Sequence, residues 1–308
     1  MRSRCIALVV LSLSFLSAYG VISRTVIDFS EYDQRIKLQW ESPEESYITN
    51  IDGQPYIVFG YKDFLLENWT VKLNESANQD RNRFQSYCKP VESKRFGTVL
   101  GARIHFPTWK NNANALIQPP FPIKIYDDEG RYMNISNGVM PNVSEVRSVS
   151  LWVSGRNYPY GASVRFRDRN EEYKEFFVGW LNFEGWRKLM YVNPNFSERF
   201  NAKILRREPL YPKDVPYLVL DALIIYRNAD QIGGDFVVYF KSVEMEYTPY
   251  VVDSDVADDI NDEEVWQIIT TRSKKRQRIE EKRLVEDLYL YQQEKYRMQL
   301  NRDPVVDK

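Results

Sequence analysis

The stretch from Val146 to Pro194 constrains the fold most strongly. Its first two runs alternate apolar and polar residues, and the apolar positions are Val149, Leu151, Val153, Ala162, Val164 and Phe166. A period of two is typical of a strand with one buried and one solvated face. A third run, Glu175 to Leu181, is rich in aromatic residues, and turn-forming residues separate the runs. The stretch therefore predicts an antiparallel meander at the core of an all-β domain.

Similar runs on both sides of this stretch predict further strands, at 23–29, 55–61, 64–73, 96–107, 122–126, 218–226 and 236–247. The parity of the apolar positions changes between Phe240 and Val243, which predicts a β-bulge at Lys241 and Ser242. Gly233 and Gly234 predict a hairpin loop between the last two strands. The segments without such a period predict extended or loop structure, at 31–47, 74–85 and 111–122.

The first twenty residues predict a secretory signal peptide. Two arginines precede an apolar run from Cys5 to Ala18, and small residues at Ala18 and Gly20 suit a cleavage site. The run is too short to span a membrane comfortably. We therefore expect an exported protein without a membrane anchor, with a β-sandwich domain at 21–252 and an acidic linker and helix at 253–308.

Cys88 is the only cysteine that remains after the predicted cleavage. A large exported protein without intrachain disulfides fits a bacterial periplasm better than a eukaryotic secretory route. Free cysteine is among the most buried residue types, so a partly buried structural role is favoured. An intermolecular disulfide is the alternative.

The last part of the chain changes composition and predicts a long charged α-helix. Glu263 and Glu264 suit a first turn, and no Pro or Gly occurs between Asp262 and Pro304. Apolar residues recur at helical spacing and form a short stripe. The candidate assembly contacts in it are Ile268, Ile269, Leu284, Leu288 and Tyr291. The stripe fits two alternatives, docking on its own domain or contact with a neighbouring subunit. A break near Ser273 is a further expectation.

The sequence contains no motif that points to catalysis. It has no phosphate-binding glycine loop, no HExxH and no CxxC. The single histidine, His105, has no Cys, Asp or His beside it at ligand spacing. The net charge of −1 does not favour nucleic acid. We therefore expect no enzyme activity, no cofactor and no metal. The acidic turn Asp127 to Gly130 favours solvation over a calcium site, and a glycosidase carboxylate pair is nowhere marked.

Several segments have a more specific combination of residues. They are SRTVIDF, the residue Trp40, VLGARIHFP, SLWVSGRNYPYG, VRFRDRN and YKEFFVGWLNFEGWRKLMYVNP. Together they resemble the spirochete flagellar filament outer layer, or sheath, proteins. The resemblance covers most of residues 23 to 250, and GRNYPYG and GWLNFEGWRKL are its most specific parts. The charged helix lies outside it, or belongs to a subgroup such as the leptospiral proteins.

This resemblance implies a fold and a role. The family resembles galactose-binding-like jelly rolls, and no catalytic residues carry over from it. It implies a structural subunit exported to the periplasm, which coats the flagellin core of the periplasmic flagellum and influences the shape and stiffness of the filament. The implied partners are flagellin core subunits and other sheath proteins.

The aromatic residues leave an alternative function open. Trp152 lies opposite the apolar face of its run, and with Tyr158 and Tyr160 it forms a candidate outward aromatic surface, whereas Trp186 is expected in the core. Such rings either pack inside a sandwich, meet a neighbour or stack on a sugar. The alternative to a sheath subunit is therefore a secreted carbohydrate-binding β-sandwich, which could contact glycans on flagellin.

Overall fold

The computed structural model describes residues 21–41, 47–51, 54–59, 64–125, 134–196, 216–249 and 262–302. Three sequence expectations lie outside the described residues: the signal peptide at 1–20, the acidic turn Asp127 to Gly130 and the linker from residue 253 to 261. The predicted domain boundaries stay predictions.

Two six-stranded antiparallel sheets make up most of the described chain. Sheet 1 has the order β12-β9-β14-β6-β5, and β1 pairs with the second half of β14. Its strands are β1 (Ile22–Asp28), β5 (Tyr87–Ser93), β6 (Gly97–Phe106), β9 (Val143–Arg156), β12 (Glu184–Val192) and β14 (Gly234–Pro249). The long strand β14 therefore holds this sheet together, because β9 lies along one of its sides and β6 and β1 share the other.

Sheet 2 faces sheet 1 and has the order β11-β10-β13-β7-β4, with β8 pairing to β13. Its strands are β4 (Thr70–Leu73), β7 (Ala113–Gln118), β8 (Val139–Pro141), β10 (Gly161–Asp168), β11 (Tyr173–Trp180) and β13 (Tyr217–Arg227). A separate hairpin joins β2 (Tyr47–Ile51) to β3 (Gln54–Phe59). The chain repeatedly crosses from one sheet to the other, which is the jelly-roll form of a β-sandwich. The predicted fold class is confirmed.

The core lies between the two sheets, where the alternating apolar residues of both inner faces meet. Leu151 and Phe240 of sheet 1 and Val164 and Leu223 of sheet 2 belong to one buried cluster. Each fully buried aliphatic or aromatic side chain stabilises the fold by about 1.5–3 kcal/mol relative to exposure. The period of two in the sequence is thus the pattern of this shared interior.

The pairing within the stretch Val146 to Pro194 differs from the predicted meander. The three predicted strands and a fourth exist, but only β10 and β11 form a hairpin, while β9 pairs with β12 in the other sheet. The chain crosses between the sheets at 157–160 and again at 181–183. These crossings bond to each other, since Asn157 N donates to Phe183 O at 2.8 Å and Leu181 N to Tyr160 O at 2.8 Å. In a meander these strands would all lie in one sheet, and the apolar face of that sheet would have no second layer from this stretch against it.

Five local predictions are wrong. Residues 31–47 do not start as extended chain, because α1 (Phe29–Glu41) forms there, and α2 (Asp80–Phe84) lies in the predicted loop 74–85. The strand β7 replaces the predicted loop at 111–122, and the described residues 122–125 form no strand. Gly233 and Gly234 do not form a hairpin, since β13 and β14 belong to different sheets.

The predicted β-bulge is confirmed. The register of β14 against β9 shifts between Phe240 and Ser242. The shift turns Lys241 toward Asp28, whose carboxylate lies 2.8 Å from the Lys241 ammonium. Asp28 also accepts hydrogen bonds from the backbone N–H and the hydroxyl of Ser30, and so caps the first turn of α1. One carboxylate thus ties β1, α1 and the bulge together.

The C-terminal helix is present, but it breaks elsewhere than predicted. Helix α3 (Asp262–Trp266) and helix α4 (Ile268–Arg302) meet at Gln267, which has a φ of 50°. A non-glycine residue in this region cannot continue a helix. Ser273 lies inside the continuous helix α4. No helix in the described part of the chain is both long and apolar enough to cross a membrane.

Replacement of Asp28 by Asn should change the acid sensitivity of the fold. Burial by itself raises the pKa of Asp28, but the hydrogen bonds from Lys241 and Ser30 and the charge of Lys241 hold it below its ordinary value of 3.8. A lowered folded-state pKa stabilises the fold above the unfolded value, and that contribution is lost as the pH falls through the folded pKa. We expect Asp28→Asn to melt lower than the wild type near neutral pH, and the difference to shrink at about pH 3.

Thermal melts at both pH values check this, with Asp230→Asn as the control. Asp230 forms an ion pair with Lys110, and both side chains are exposed to solvent. Loss of this ion pair should therefore change the melting temperature little at either pH. A melting difference for Asp28→Asn that is constant with pH would contradict the assignment.

Candidate assembly surfaces

One end of the sandwich carries a rigid cluster of loops that contains Tyr158 and Tyr160. Tyr160 was expected on an outward surface, and this is wrong, because only 1% of the residue is exposed. Its ring packs against Phe106 and Phe236, and its hydroxyl donates a hydrogen bond to Ile232 O. The half-buried Tyr158 stacks on Tyr160 with ring centroids 5.5 Å apart. The alternation of buried and exposed side chains does not apply to these two residues, because the chain crosses from one sheet to the other here.

A buried arginine organises this loop cluster. Arg227 is 2% exposed and donates hydrogen bonds to Gln231 O at 2.8 and 3.1 Å, Trp109 O at 3.1 Å and Asn111 Oδ1 at 2.9 Å. A guanidinium offers five N–H donors in a fixed plane, so a single side chain sets the spacing of the 109–111 and 228–231 loops. Nothing in the sequence pointed to Arg227, because its partners come from separate loops.

The same loops present apolar side chains to the solvent. Ile232 is 77% exposed and Trp109 is 46% exposed. Gly233 lies so close to the opposite loop that a Cβ atom there would meet Pro107 O at 1.9 Å. The exposed tips are therefore held on a framework that has little room to adjust.

A second candidate surface lies on the outer face of sheet 1, and we call Phe96, Trp152 and Trp186 the aromatic patch. Trp152 is on this face because Leu151 and Val153 beside it are in the core. Phe96 lies with its ring centroid 5.8 Å from Trp152 and 5.0 Å from Trp186. All three are half-buried, so the expectation of a core position for Trp186 is wrong. Trp152 stays a candidate for an outward contact.

Charged side chains surround the aromatic patch. Arg95 and Lys241 lie over the Phe96 ring at 4.9 and 5.6 Å from its centroid. Lys188 is 2.6 Å from Glu244 on the neighbouring strand. Half-buried aromatic rings with a charged rim are typical of protein interfaces, in which aromatic and arginine side chains are enriched at the centre. Phe96 could not be assigned from the sequence, because it lies in the turn between β5 and β6.

Sheet 2 carries more open rings than sheet 1. Phe177 and Trp180 on the edge strand β11 are 44% and 46% exposed, with centroids 5.4 Å apart. Gly161 lies beneath them, and a Cβ atom there would meet the Phe177 ring at 2.9 Å. A sugar needs an open ring face, so the carbohydrate-binding alternative fits these two rings better than the partly covered Trp152.

Helix α4 packs on the outside of sheet 2, and this corrects the candidate assembly contacts. Three of these residues pack around the buried ring of Phe121, namely Leu284, Leu288 and Tyr291. The ring centroids of Tyr291 and Phe121 are 5.3 Å apart. These three residues therefore contact their own chain, the first of the two alternatives. Ile268 is half-buried at the start of the helix, and the side chain of Ile269 lies outside the described residues.

Charges add to this helix contact. Arg283 on α4 forms an ion pair with Glu171 in the β10–β11 turn, and Arg167 pairs with the same carboxylate at 3.2 Å. Burial, the largest cause, raises the pKa of Asp287, and the negative charges of Glu286 and Asp221 add to the shift. The helix is therefore attached at both an apolar and a polar point.

His105 has a partner that sequence spacing did not reveal. Its Nδ1 atom lies 3.1 Å from Asp235, to which Arg103 also donates hydrogen bonds. The hydrogen bond from His105, followed by that from Arg103, lowers the pKa of Asp235. The register of β6 against β14 places His105 opposite Asp235. Among the described residues no group of three or more His, Cys, Asp or Glu is placed to hold a metal.

Cys88 is buried on the inner face of β5. Burial raises the pKa of its thiol far above the ordinary value. A thiol that stays protonated is a poor nucleophile, so the structural role expected for it is supported over an intermolecular disulfide.

Comparison with known proteins adds the family. The family model described as flagellar filament outer layer protein FlaA matches residues 22–256. The chain belongs to this family. It is 34% identical over 238 residues to a flagellar filament outer layer protein of Treponema pallidum, which covers 69% of this chain and 67% of the relative. A protein of the same name from Spirochaeta aurantia is 34% identical over 222 residues, which are 67% of this chain and 65% of the relative.

The family relatives extend beyond the matched part. A relative from Borreliella burgdorferi is 28% identical over 221 residues, 68% of this chain and 62% of its own length. The chain thus spans about two thirds of the length of the relatives it matches. The segment from 257 onward, with both α3 and α4, lies outside the family match.

Solved structures align with this chain only weakly. A family 11 carbohydrate-binding module of Clostridium thermocellum aligns with a TM-score of 0.30 and 10% identity, over 57% of this chain and 86% of the module. A putative sugar-binding protein of Bacteroides thetaiotaomicron gives a TM-score of 0.26 and 9% identity, over 58% and 87%. Similarity this low says nothing about ligands.

Replacement of Arg227 by Met should destabilise the loop cluster. The change removes the donor from three partly buried acceptors, which are Gln231 O, Trp109 O and Asn111 Oδ1. An acceptor left unsatisfied when buried costs about 1–3 kcal/mol. We expect a loss of about 2–4 kcal/mol in the free energy of unfolding, measured by urea denaturation. The exposed Arg156→Met is the control and should stay within about 0.5 kcal/mol of wild type. Equal effects of both variants would refute the role of Arg227.

Replacement of Tyr291 by Ala should loosen α4. The ring contact with Phe121 contributes about 1 kcal/mol beyond its buried area, so trypsin should cut the lysine- and arginine-rich helix about tenfold faster. Tyr289→Ala is a matched control, because Tyr289 is 62% exposed on the same helix. Trypsin rates are measured on folded protein by mass spectrometry. If both variants are cut at the wild-type rate, α4 does not depend on this contact.

Proposed function

We propose that this chain is a non-enzymatic structural subunit of the outer layer of the flagellar filament. The observation that supports it most is the family match across residues 22–256, which includes both sheets of the sandwich. In this role the protein is exported, lies in the periplasm and coats a core of flagellin together with other sheath proteins. The sandwich supplies a stable frame, and its outer faces supply contacts.

We assign the filament contact to the aromatic patch on sheet 1. Its half-buried rings lie inside a rim of charged pairs, among them Lys188 with Glu244. The outer face of sheet 2 is partly occupied by α4 of the same chain. A coat repeats its contacts along a filament, so each contact can be weak and still hold through avidity.

Replacement of Trp186 by Glu should weaken incorporation into filaments. A carboxylate would replace the ring that packs on Phe96 and would have to be desolvated in the contact. Aromatic residues of interfaces commonly contribute about 2 kcal/mol or more, so we expect a loss of roughly tenfold or more. Filaments are isolated from source cells that carry the variant, and the bound chain is measured by immunoblot. Ile232→Glu places the same charge on an exposed apolar residue of the loop cluster and serves as the control.

Two outcomes would count against the proposal. If wild-type protein is not recovered with filaments, the coat role is wrong. If Trp186→Glu, with an unchanged melting temperature, is incorporated as well as Ile232→Glu, the coat role stands but the aromatic patch does not carry the contact.

A further inference from the structure

A positively charged cleft lies between the β10–β11 turn and the first half of α4. It encloses about 270 Å³ and is lined by Arg169, Asn170, Arg272, Lys275, Arg276 and Ile279. Among these lining residues, four carry a positive charge and none carries a negative one. The family role does not account for it, because α4 lies outside the family match.

The helical side of the cleft brings like charges together. Arg272, Lys275 and Arg276 are spaced at i, i+3 and i+4, so they lie on one face of the helix. Like charges at this spacing destabilise a helix by a few tenths of a kcal/mol per pair. The adjacent carboxylate of Glu171 is already paired with Arg167 and Arg283. An anion in the cleft would be attracted by the positive side chains that line it.

The same chain contains a segment of the opposite charge. Residues 253–264 have the sequence DSDVADDINDEE, with seven carboxylates and no lysine or arginine. A segment with several carboxylates is more complementary to a cleft lined by three arginines and a lysine than a single small anion would be, because several charges can be paired at once.

We propose that the cleft binds the acidic segment 253–264 of a second copy of this chain. A site and a complementary segment at different places on one chain give a heterologous contact, which repeats head to tail and does not close on itself. Subunits joined in this way form rows, which is the arrangement that a coat along a filament requires. The contact is mainly ionic, so it weakens as salt screens the charges.

Charge reversal tests the contact and separates a second copy from the chain's own segment. The cleft variant combines Arg272→Glu, Lys275→Glu and Arg276→Glu. The segment variant combines Asp255→Lys, Asp258→Lys and Asp259→Lys. Each should lower the self-association constant about tenfold or more at low salt, since several close charge pairs become repulsive. Sedimentation velocity of the purified full chain measures the association.

The two variants mixed in equal amounts decide the partner. Between different copies, the acidic segment of the cleft variant meets the unchanged cleft of the segment variant, and the two reversed regions also match, so mixing should restore association. A control with Lys274→Glu, Arg278→Glu and Lys282→Glu changes the net charge of α4 by the same amount away from the cleft lining, and should associate as wild type does.

Each contrary result overturns the proposal. Wild-type protein that stays monomeric at low salt shows no second copy in the cleft. A mixture that associates no better than either variant alone shows that the cleft and the acidic segment do not meet between copies. Equal loss in the Lys274, Arg278 and Lys282 control shows a general charge effect. No filament is present in this experiment, so its failure leaves the coat role standing.

Discussion

The burial of two alternating apolar faces against each other is the constraint on which the rest of this structure depends. Neither sheet could exist alone, because each would leave an apolar face in water. The crossings between the sheets follow from this requirement. Strands β9 and β10 are adjacent in sequence, yet they lie in opposite layers, and the crossing loops bond to each other through Asn157, Tyr160, Leu181 and Phe183. The two outer faces and the loops at both ends of the sandwich lie outside this shared core.

Those outer surfaces have different chemistry. The aromatic patch on sheet 1 combines rings with a charged rim, whereas sheet 2 is partly covered by α4 through Tyr291 and Phe121. The loop cluster around Arg227 is stiff because one guanidinium bonds several carbonyl groups at once. A coat subunit needs such a division, since a filament, neighbouring subunits and solvent must each meet a different side of the same frame.

The sequence predicted the strands and their faces better than their partners. A change in parity between Phe240 and Val243 was enough to place the bulge, because the side-chain period of a strand is fixed. Pairing is different, since an alternating pattern says which side is buried but not which strand lies alongside. Helix α1 was missed although Asp28 and Glu31 have the spacing of a capping box. Tyr160 and Arg227 depend on contacts between distant loops, and no local pattern records those.

The position of the first strand has a mechanical consequence. Ile22 pairs with Tyr247, so the start of β1 and the end of β14 lie at the same end of sheet 1. A pulling force applied to these two points would load the hydrogen bonds between them one after another, and not all together. Strand β1 would then peel away at low force while the ladder between β14 and β9 stayed intact. The Asp28–Lys241 ion pair, at the far end of β1, would be the last of these contacts to yield.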